Sequence, residues 1–489
     1  MLIQPVGRNE FETRTFPHAH SAIVYTDGAT YYAKSGYSGS ILYSSNDASS
    51  VIQSAIDDVS SKGGGVVLLK RGIYNLTTGI ILRDKVSLIG EGAHSTRLYP
   101  TTNFTGDYMI SIDGDKDYSL WLRRISDLYI HNRMLVKYGI YAAPNTGAGN
   151  IVIERTTIVN PTTAAIYEGL GNGVWTIRDN VLLGGSSKGY GIWIDYTGDS
   201  HYENNDIFGF AIGIYAVNLG NSVFINNRTY LAKYYDDVQY SGTGMHLHLG
   251  SGVRILGDRH NDHDDVGLRI LNSTEVSVIG VLTINNGVRC RNTTCYGTGI
   301  SIVNSSDVTV KGCLSLNDVG MGISAIGGGR YIIEGNIVKN PCYSTTYQPY
   351  CRAYDVYGVD QIMLKNNYAI DDRSSPIMQE GFTIGGYSKN VLYDDLVSIG
   401  HTSIDVRIYE VTLLKNQGKA TFSGDGTTTQ FTIAHRLARQ PNTVVVTPLS
   451  ADAAGPFYVS SDSTNIYINY KTAPPTGTNN IELYWYAKI

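Results

Sequence analysis

Charge is scarce in this chain. Of its 489 residues, 17% are Asp, Glu, Lys or Arg, below the quarter or so usual in soluble domains. The 38 basic residues are outnumbered by 43 acidic ones, for a formal charge of -5. That balance excludes the electropositive surface a nucleic acid needs, so no nucleic-acid partner is expected. No run of about 18 apolar residues occurs, so no membrane span is expected. The opening residues Met1 to Arg8 lack the apolar stretch of a signal peptide, so none is expected there either.

Helix signals are equally scarce. One segment carries them, where Val51, Ile52, Ala55, Ile56 and Val59 recur at helical spacing behind the polar cap Asn46-Asp47. The pattern predicts a helix over residues 47–60, closed by Gly63-Gly64-Gly65 and followed by the buried strand Val66-Val67-Leu68-Leu69. A phosphate loop is excluded, because the glycines end a helix instead of opening one and no Gly-Lys-Ser/Thr follows. What the chain has in quantity is Gly (54) and Tyr (37). Length alone suggests about three domains of roughly 150 residues, but the pattern along the chain is mostly β.

Between residues 139 and 406 a small residue followed by alternating apolar and variable positions recurs. The instances begin at Gly139, Ala165, Gly191, Gly213, Gly244, Gly267, Gly299, Gly322, Gly358, Gly381 and Ser403. Most intervals are 22 to 26 residues, and those of 31, 32 and 36 read as insertions. So short a period with alternation inside it means one coil of a β-solenoid per repeat, coils stacking about 4.8 Å apart. Asn204-Asn205, Asn226-Asn227, Asn336 and Asn366-Asn367 suit left-handed corners and stacked amides.

The alternation sends Ile140, Ile166, Ile192, Ile214, Met245, Leu268, Ile300, Ile323, Val359 and Phe382 inward. The next positions then face outward: Tyr141, Tyr167, Trp193, Tyr215, His246, Arg269, Ser301, Ser324, Asp360 and Thr383. The opposite phase would bury His246, Arg269 and Asp360 unpaired. Glu168 and Gln361 break the pattern one step later, so some strands are read as short.

Residues 46–98, with the helix, the triple glycine, Gly72-Ile73-Tyr74 and Val86-Ser87-Leu88-Ile89-Gly90-Glu91-Gly92, resemble the opening of pectate-lyase-like right-handed parallel β-helix proteins. Among these, viral tailspikes are the most similar. The resemblance extends over about residues 20–410. It implies an all-β fold: a right-handed single-stranded parallel β-helix over residues 46–415 with an N-terminal capping helix. Residues 1–45 are then a lead-in or attachment segment. Residues 419–489, with short alternating strands and Pro474-Pro475-Thr476-Gly477, form a small C-terminal antiparallel β-sandwich for trimerisation or glycan binding. The resemblance also implies a homotrimer, other virion tail proteins as partners and a virion-surface or extracellular location. It includes lyases, hydrolases, epimerases and silent binders, so it fixes no activity.

The three insertions, residues 230–241, 286–297 and 341–354, are dense in Tyr, among them Tyr234, Tyr235 and Tyr296. Tyr suits sugar rings and protein contacts alike. Two insertions hold cysteine pairs, Cys290 with Cys295 and Cys342 with Cys351, read as disulfides closing loops that have no core. Their spacing and the lack of neighbouring His argue against zinc. Cys313, in a coil strand, reads as a packed thiol.

Tyr141, Tyr167, Trp193 and Tyr215 form an outward aromatic ladder leading to His246 and Arg269, laid out as a polysaccharide groove or as a subunit interface. Asp195 and His248 lie two positions further along the same face. Asp195, His246, His248 and Arg269 suit elimination, in which a base removes an α-proton and a cation neutralises the uronate. Hydrolysis needs a second carboxylate. The polar run at residues 258–265, with Asp258, His260 and His263, stands where sister coils are apolar. It reads as a solvated turn or trimer contact, a catalytic cleft contributing Asp258 and His260, or a calcium site. Neither the multi-Asp calcium cluster of pectate lyases nor the paired aspartates of polygalacturonases is evident. No cofactor is expected beyond that calcium reading. The functional expectation is a tailspike that binds a host cell-surface polysaccharide and depolymerises it as hydrolase or lyase. The alternatives are a non-catalytic adhesin and a secreted cellular polysaccharide lyase.

Overall fold

The computed structural model describes residues 20–112, 122–144, 147–169, 171, 173–185, 188–291, 297–342 and 351–489. The chain divides into two compact units, Met1–Asp264 and Asp265–Ile489.

The first unit opens with three antiparallel strands, Ala22–Thr26, Tyr31–Ser35 and Ile41–Ser45. The first pairs in parallel with Gly65–Leu69, so the lead-in continues the coil sheet. The capping helix runs Ala48–Ser61, with the Asp47 carboxylate accepting from the amides of Ser49 and Ser50. Its apolar stripe, Val51, Ile52, Ala55, Ile56 and Val59, is buried. At its end Gly64 adopts φ +102° and presses on Lys85, where a Cβ would meet the carbonyl oxygen at 2.5 Å. That close approach explains the glycine run.

Each coil then has three strands. In the first unit one coil is Tyr190–Asp195, His201–Glu203 and Asp206–Phe208, and the next is Ile212–Val217, Val223–Ile225 and Arg228–Tyr230. Corresponding strands pair in parallel, Ile192 beside Ile214 and Trp193 beside Tyr215. The inward residues from Ile140 through Ile323, and Phe382, are buried as the alternation requires. The asparagine pairs divide the work. Asn204 and Asn226 take φ 53° and 54° and turn the chain, while Asn205 and Asn227 point inside and stack. The Asn180 Nδ2 donates to Asn205 Oδ1 at 2.9 Å and Asn205 Nδ2 to Asn227 Oδ1 at 2.9 Å.

The second unit repeats the coil, for example Thr298–Val303, Ser306–Lys311 and Leu314–Leu316. Here one register differs from expectation. Gly358 is a left-handed turn residue, φ 65°, and the coil strand precedes it as Arg352–Tyr357, with Tyr354 beside Ile323 and Phe382. The small residue of this coil is therefore Ala353, and its outward residue is Asp355 instead of Asp360. Tyr354 belongs to the core, 1% exposed and stacked on Phe382 at 4.6 Å. The last coil is shifted too: Val406, two residues later than the Ser403 phase requires, pairs with Phe382. Cys342 and Cys351 form a disulfide, Cα atoms 5.6 Å apart, and Cys313 is a buried free thiol. Cys290 is in the short helix Val288–Arg291, whereas Cys295 and Tyr296 lie outside the described residues, so that pairing stays an expectation.

Residues 415–488 form two three-stranded antiparallel sheets. Phe422 of one meets Phe431 of the other at 5.1 Å over a core of Ile466, Ile468, Ile481 and Leu483.

Candidate functional site

The outward column of the first unit forms as the repeat requires, because parallel pairing places equal repeat positions side by side. Tyr141 stands beside Tyr167, Tyr167 beside Trp193, Trp193 beside Tyr215 and Tyr215 beside His246. Ring centroids follow at 5.3, 4.9, 6.3 and 5.4 Å. Tyr141 and Tyr167 are nearly coplanar in orientation, whereas Trp193 meets both neighbours edge-on.

Alternation did not reveal a second row. Tyr138 and Tyr190 precede the small residue and would point inward by strict alternation. Instead Tyr138 lies 4.7 Å from Tyr141, and Tyr190 lies 4.8 Å from Trp193 and 5.0 Å from Tyr215. Tyr108 extends the column at 5.9 Å from Tyr141. The recurring Tyr-Gly-Ile-aromatic order at Tyr138 and Tyr190 was the available signal. Burial raises the phenols of Tyr138, Tyr141, Tyr190 and Tyr215, and takes Tyr167 to about 12. All stay neutral at ordinary pH, as stacking surfaces with a hydrogen-bonding tip.

His246 closes this column in an unexpected state. It is fully buried, stacked between Tyr215 at 5.4 Å and Tyr240 at 4.3 Å. Tyr240 arrives from the insertion that follows Arg228–Tyr230, which the sequence read as a wall beside the column. His246 is thus a ring of the stack and not an accessible base. His248 is half-buried, its ring 6.1 Å from that of His246. Asp195 is half-buried among the rings, and its charge is felt by Tyr167 and Tyr215. Burial raises its carboxyl above the ordinary range, and no hydrogen-bond partner of that carboxylate is found among the described residues. Tyr234 and Tyr235 are half-buried in the insertion, with Lys188 5.5 Å over the Tyr235 ring.

The polar run at residues 258–265 corrects the cleft reading. Arg259–Asn261 remains a coil strand, and its core-facing positions are polar because the preceding coil supplies partners. Asp258 is the last rung of the asparagine ladder, accepting from the Asn227 amide at 2.8 Å. His260 Nδ1 and His263 Nε2 both lie on the Thr229 hydroxyl, at 2.8 and 2.9 Å, and His263 Nδ1 accepts from the Ala232 amide. All three side chains are fully buried. Burial pushes Asp258 up to about 8 and His260 down to about 3. Asp258 and His260 therefore face the core and cannot meet a polymer on the outer surface. Nor does the donor set fit calcium, since Asp258 is engaged by amide donors. Among the described residues no three His, Cys, Asp or Glu side chains are grouped to hold a metal.

Another interior acid was not recognised in the sequence. Glu168 ends its strand fully buried, accepting from Thr197 at 2.7 Å and Tyr202 at 2.8 Å, and burial raises it to about 7. Arg269 lies in the second unit, half-buried, 3.2 Å from Asp265.

With this geometry in place, the likeness to known proteins is one of fold. A family model described as a right handed beta helix region matches residues 108–286. No curated protein matches the chain. The Dettilon tailspike protein superposes with a TM-score of 0.51 at 12% identity, covering 95% of this chain and 94% of that one. A mutant tailspike protein of E. coli bacteriophage HK620, in complex with a pentasaccharide, gives 0.50 at 12% identity, covering 91% and 90%. The A-module of the Azotobacter vinelandii mannuronan C-5 epimerase AlgE6 is 18% identical over 72% of this chain and 95% of its own, with a TM-score of 0.47. The chain has the fold of a pectate-lyase-like right-handed parallel β-helix protein. In that fold it resembles tailspikes. Among the described residues no helix is long and apolar enough to cross a membrane.

Proposed function

We propose that this protein is a tailspike of a virion surface that grips a host cell-surface polysaccharide along the aromatic column and depolymerises it. The observation carrying the reading is the unbroken row Tyr141, Tyr167, Trp193 and Tyr215, doubled by Tyr138 and Tyr190. Its spacing of 4.9 to 6.3 Å lines up ring edges and hydroxyl tips in a continuous row along which a glycan chain can lie. Asp195 and His248 at its edge supply hydrogen-bonding groups for hydroxyls. The tailspike solved with a pentasaccharide has the same fold over most of its length, which supports a glycan as the ligand. In this reading the protein assembles as a homotrimer through the C-terminal sandwich, and the lead-in joins it to other tail proteins.

Burial of His246 weakens the elimination scheme and favours hydrolysis or binding without turnover. Trp193 gives a direct test. Trp175 and Trp485 are buried and Trp121 lies outside the described residues. Parent and Trp193→Phe are therefore titrated side by side with purified bacterial capsular or O-antigen polysaccharides, and the quenching that differs between them reports occupancy of the column. Saturable quenching lost in Trp193→Phe is expected. Binding that leaves the fluorescence of Trp193 unchanged contradicts the assignment.

A further inference from the structure

The corrected register of the second unit gathers charge where the first unit has rings. The outward column there runs Arg269, Ser301, Ser324, Asp355, Thr383 and Arg407. At the position before the small residue, Arg352 pairs with Glu380. Arg352 spans both acids, Nη1 to Asp355 Oδ1 at 2.8 Å and Nε to Glu380 Oε2 at 3.1 Å. Arg407 Nε approaches the other Glu380 oxygen at 2.5 Å, and the Thr383 hydroxyl donates to Glu380. Two carboxylates and two guanidiniums are thus drawn together on the outer strand, whereas the two coils before them carry serine, Ser301 and Ser324, in the column.

A cluster of this kind adds little to stability, because desolvating the charges offsets their attraction. Its setting points to a ligand. The Tyr409 ring lies over Gly385, where a Cβ would meet it at 2.2 Å, and the Tyr357 ring covers Gly386, with 2.5 Å to a built Cβ. Tyr357 is 48% exposed, and Tyr409 lies near enough to feel Arg352 and Asp355. Two rings seated on glycine beside a paired acid form a sugar platform with reactive groups at its edge. Asp355 and Glu380 are largely buried, with 11% and 9% of their side-chain surface exposed, so only the edges of the two carboxylates reach the outer face.

We propose that Asp355 and Glu380, bridged by Arg352, are the catalytic acid and base that hydrolyse a glycosidic bond, an inference resting on the polysaccharide reading above. Asp355 gives its proton to the glycosidic oxygen as the bond from that oxygen to the anomeric carbon breaks. A water attacks the anomeric carbon and passes its proton to Glu380. One water is consumed, and each cleavage leaves one new reducing end. Burial, the largest influence on Asp355, raises its carboxyl, and Glu380 adds to the effect while Arg352 opposes it. That setting suits the acid role.

The test is digestion of purified capsular and O-antigen polysaccharides by the full chain, following reducing ends, unsaturated-uronate absorbance and polymer binding together. Asp355→Asn and Glu380→Gln, both isosteric, are each expected to lower reducing-end release at least about 100-fold while polymer binding stays at the parent value. The chain stays folded at the assay temperature, with a melting temperature some degrees lower because Arg352 loses a counter-charge. Release at the parent rate from both variants overturns the inference alone. So does uronate absorbance rising with the reducing ends, which means elimination, or a parent protein that binds without cleaving. A parent protein that binds no polymer overturns this inference and the functional reading together.

Discussion

The same repeat position carries tyrosine and tryptophan in the first unit and serine, aspartate and arginine in the second. Both columns are built by identical means, parallel coils pairing equal positions. The backbone therefore does not decide what the outer face does. The side chains that the repeat leaves unconstrained decide it, and they change character between units. On the proposed reading the rings hold a polymer and the fixed charges act on one of its bonds.

A parallel contrast exists inside the coils. Asp258 ends its ladder with Asn227 as donor and is raised to about 8. Asp318 in the second unit accepts from Thr283 at 2.6 Å, Ser315 at 2.6 Å and Asn286 at 2.8 Å, and is raised only to about 6. Both are fully buried, so the number of donors sets the difference.

The strongest way to break the contrast is to strip the first column. Tyr167→Ala combined with Trp193→Ala removes two adjoining rings and is expected to weaken polysaccharide binding about 100-fold, measured by calorimetric titration. Tyr167 is only 7% exposed, so the pair is also expected to lower the melting temperature by several degrees while the chain stays folded at the titration temperature. Next comes the ladder. Asn227→Ala leaves buried groups of Asn205 and Asp258 without their partner, for an expected loss of about 2 to 4 kcal/mol in chemical denaturation.

Asp258→Asn sharpens the comparison of the two interiors. The folded carboxyl of Asp258 titrates above its ordinary value of 3.8, so its contribution is full below about pH 4 and is lost as pH rises through about 8. Glu168, at about 7, acts in the same direction. The parent should therefore lose melting temperature from pH 5 to pH 9 in scanning calorimetry. Asp258→Asn should flatten that slope and melt roughly 2 to 4 °C higher than the parent at pH 9. Asp318→Asn, where three donors already hold the carboxylate, should gain less or nothing. The smallest effect is expected at Tyr240→Ala, which uncovers His246 at a cost of about 1 kcal/mol and makes that imidazole reactive to diethyl pyrocarbonate.

Much of this was legible in the sequence. The period, the inward phase, the capping helix and the column from Tyr141 to Tyr215 follow from alternation and spacing, because a coil must bury every second residue. The slip at Gly358 arose because Gly358-Val359-Asp360 mimics the small, apolar, variable order. Ala353-Tyr354-Asp355 fits it as well, and its interval of 31 from Gly322 matches the other inserted coils. That slip concealed Asp355 from the outward column. Asp258 and His260 misled for a different reason. A polar run in a core strand is tolerated when the neighbouring coil supplies Asn227 and Thr229, and such partners come from tertiary register instead of local sequence. Tyr138 and Tyr190 escaped because they break strict alternation at the strand entrance.

The central claim, that the aromatic column holds a polysaccharide and not a neighbouring subunit, is tested most directly by sedimentation velocity. The sample is parent protein or Trp193→Ala mixed with a fluorescently labelled O-antigen or capsular oligosaccharide. One run reports both the label carried with the protein and the size of the assembly. The account predicts that the variant keeps the parent's sedimentation coefficient and loses about 90% of its affinity for the label. A variant that falls to smaller species while each chain carries label as before would make the column a subunit interface and contradict the account.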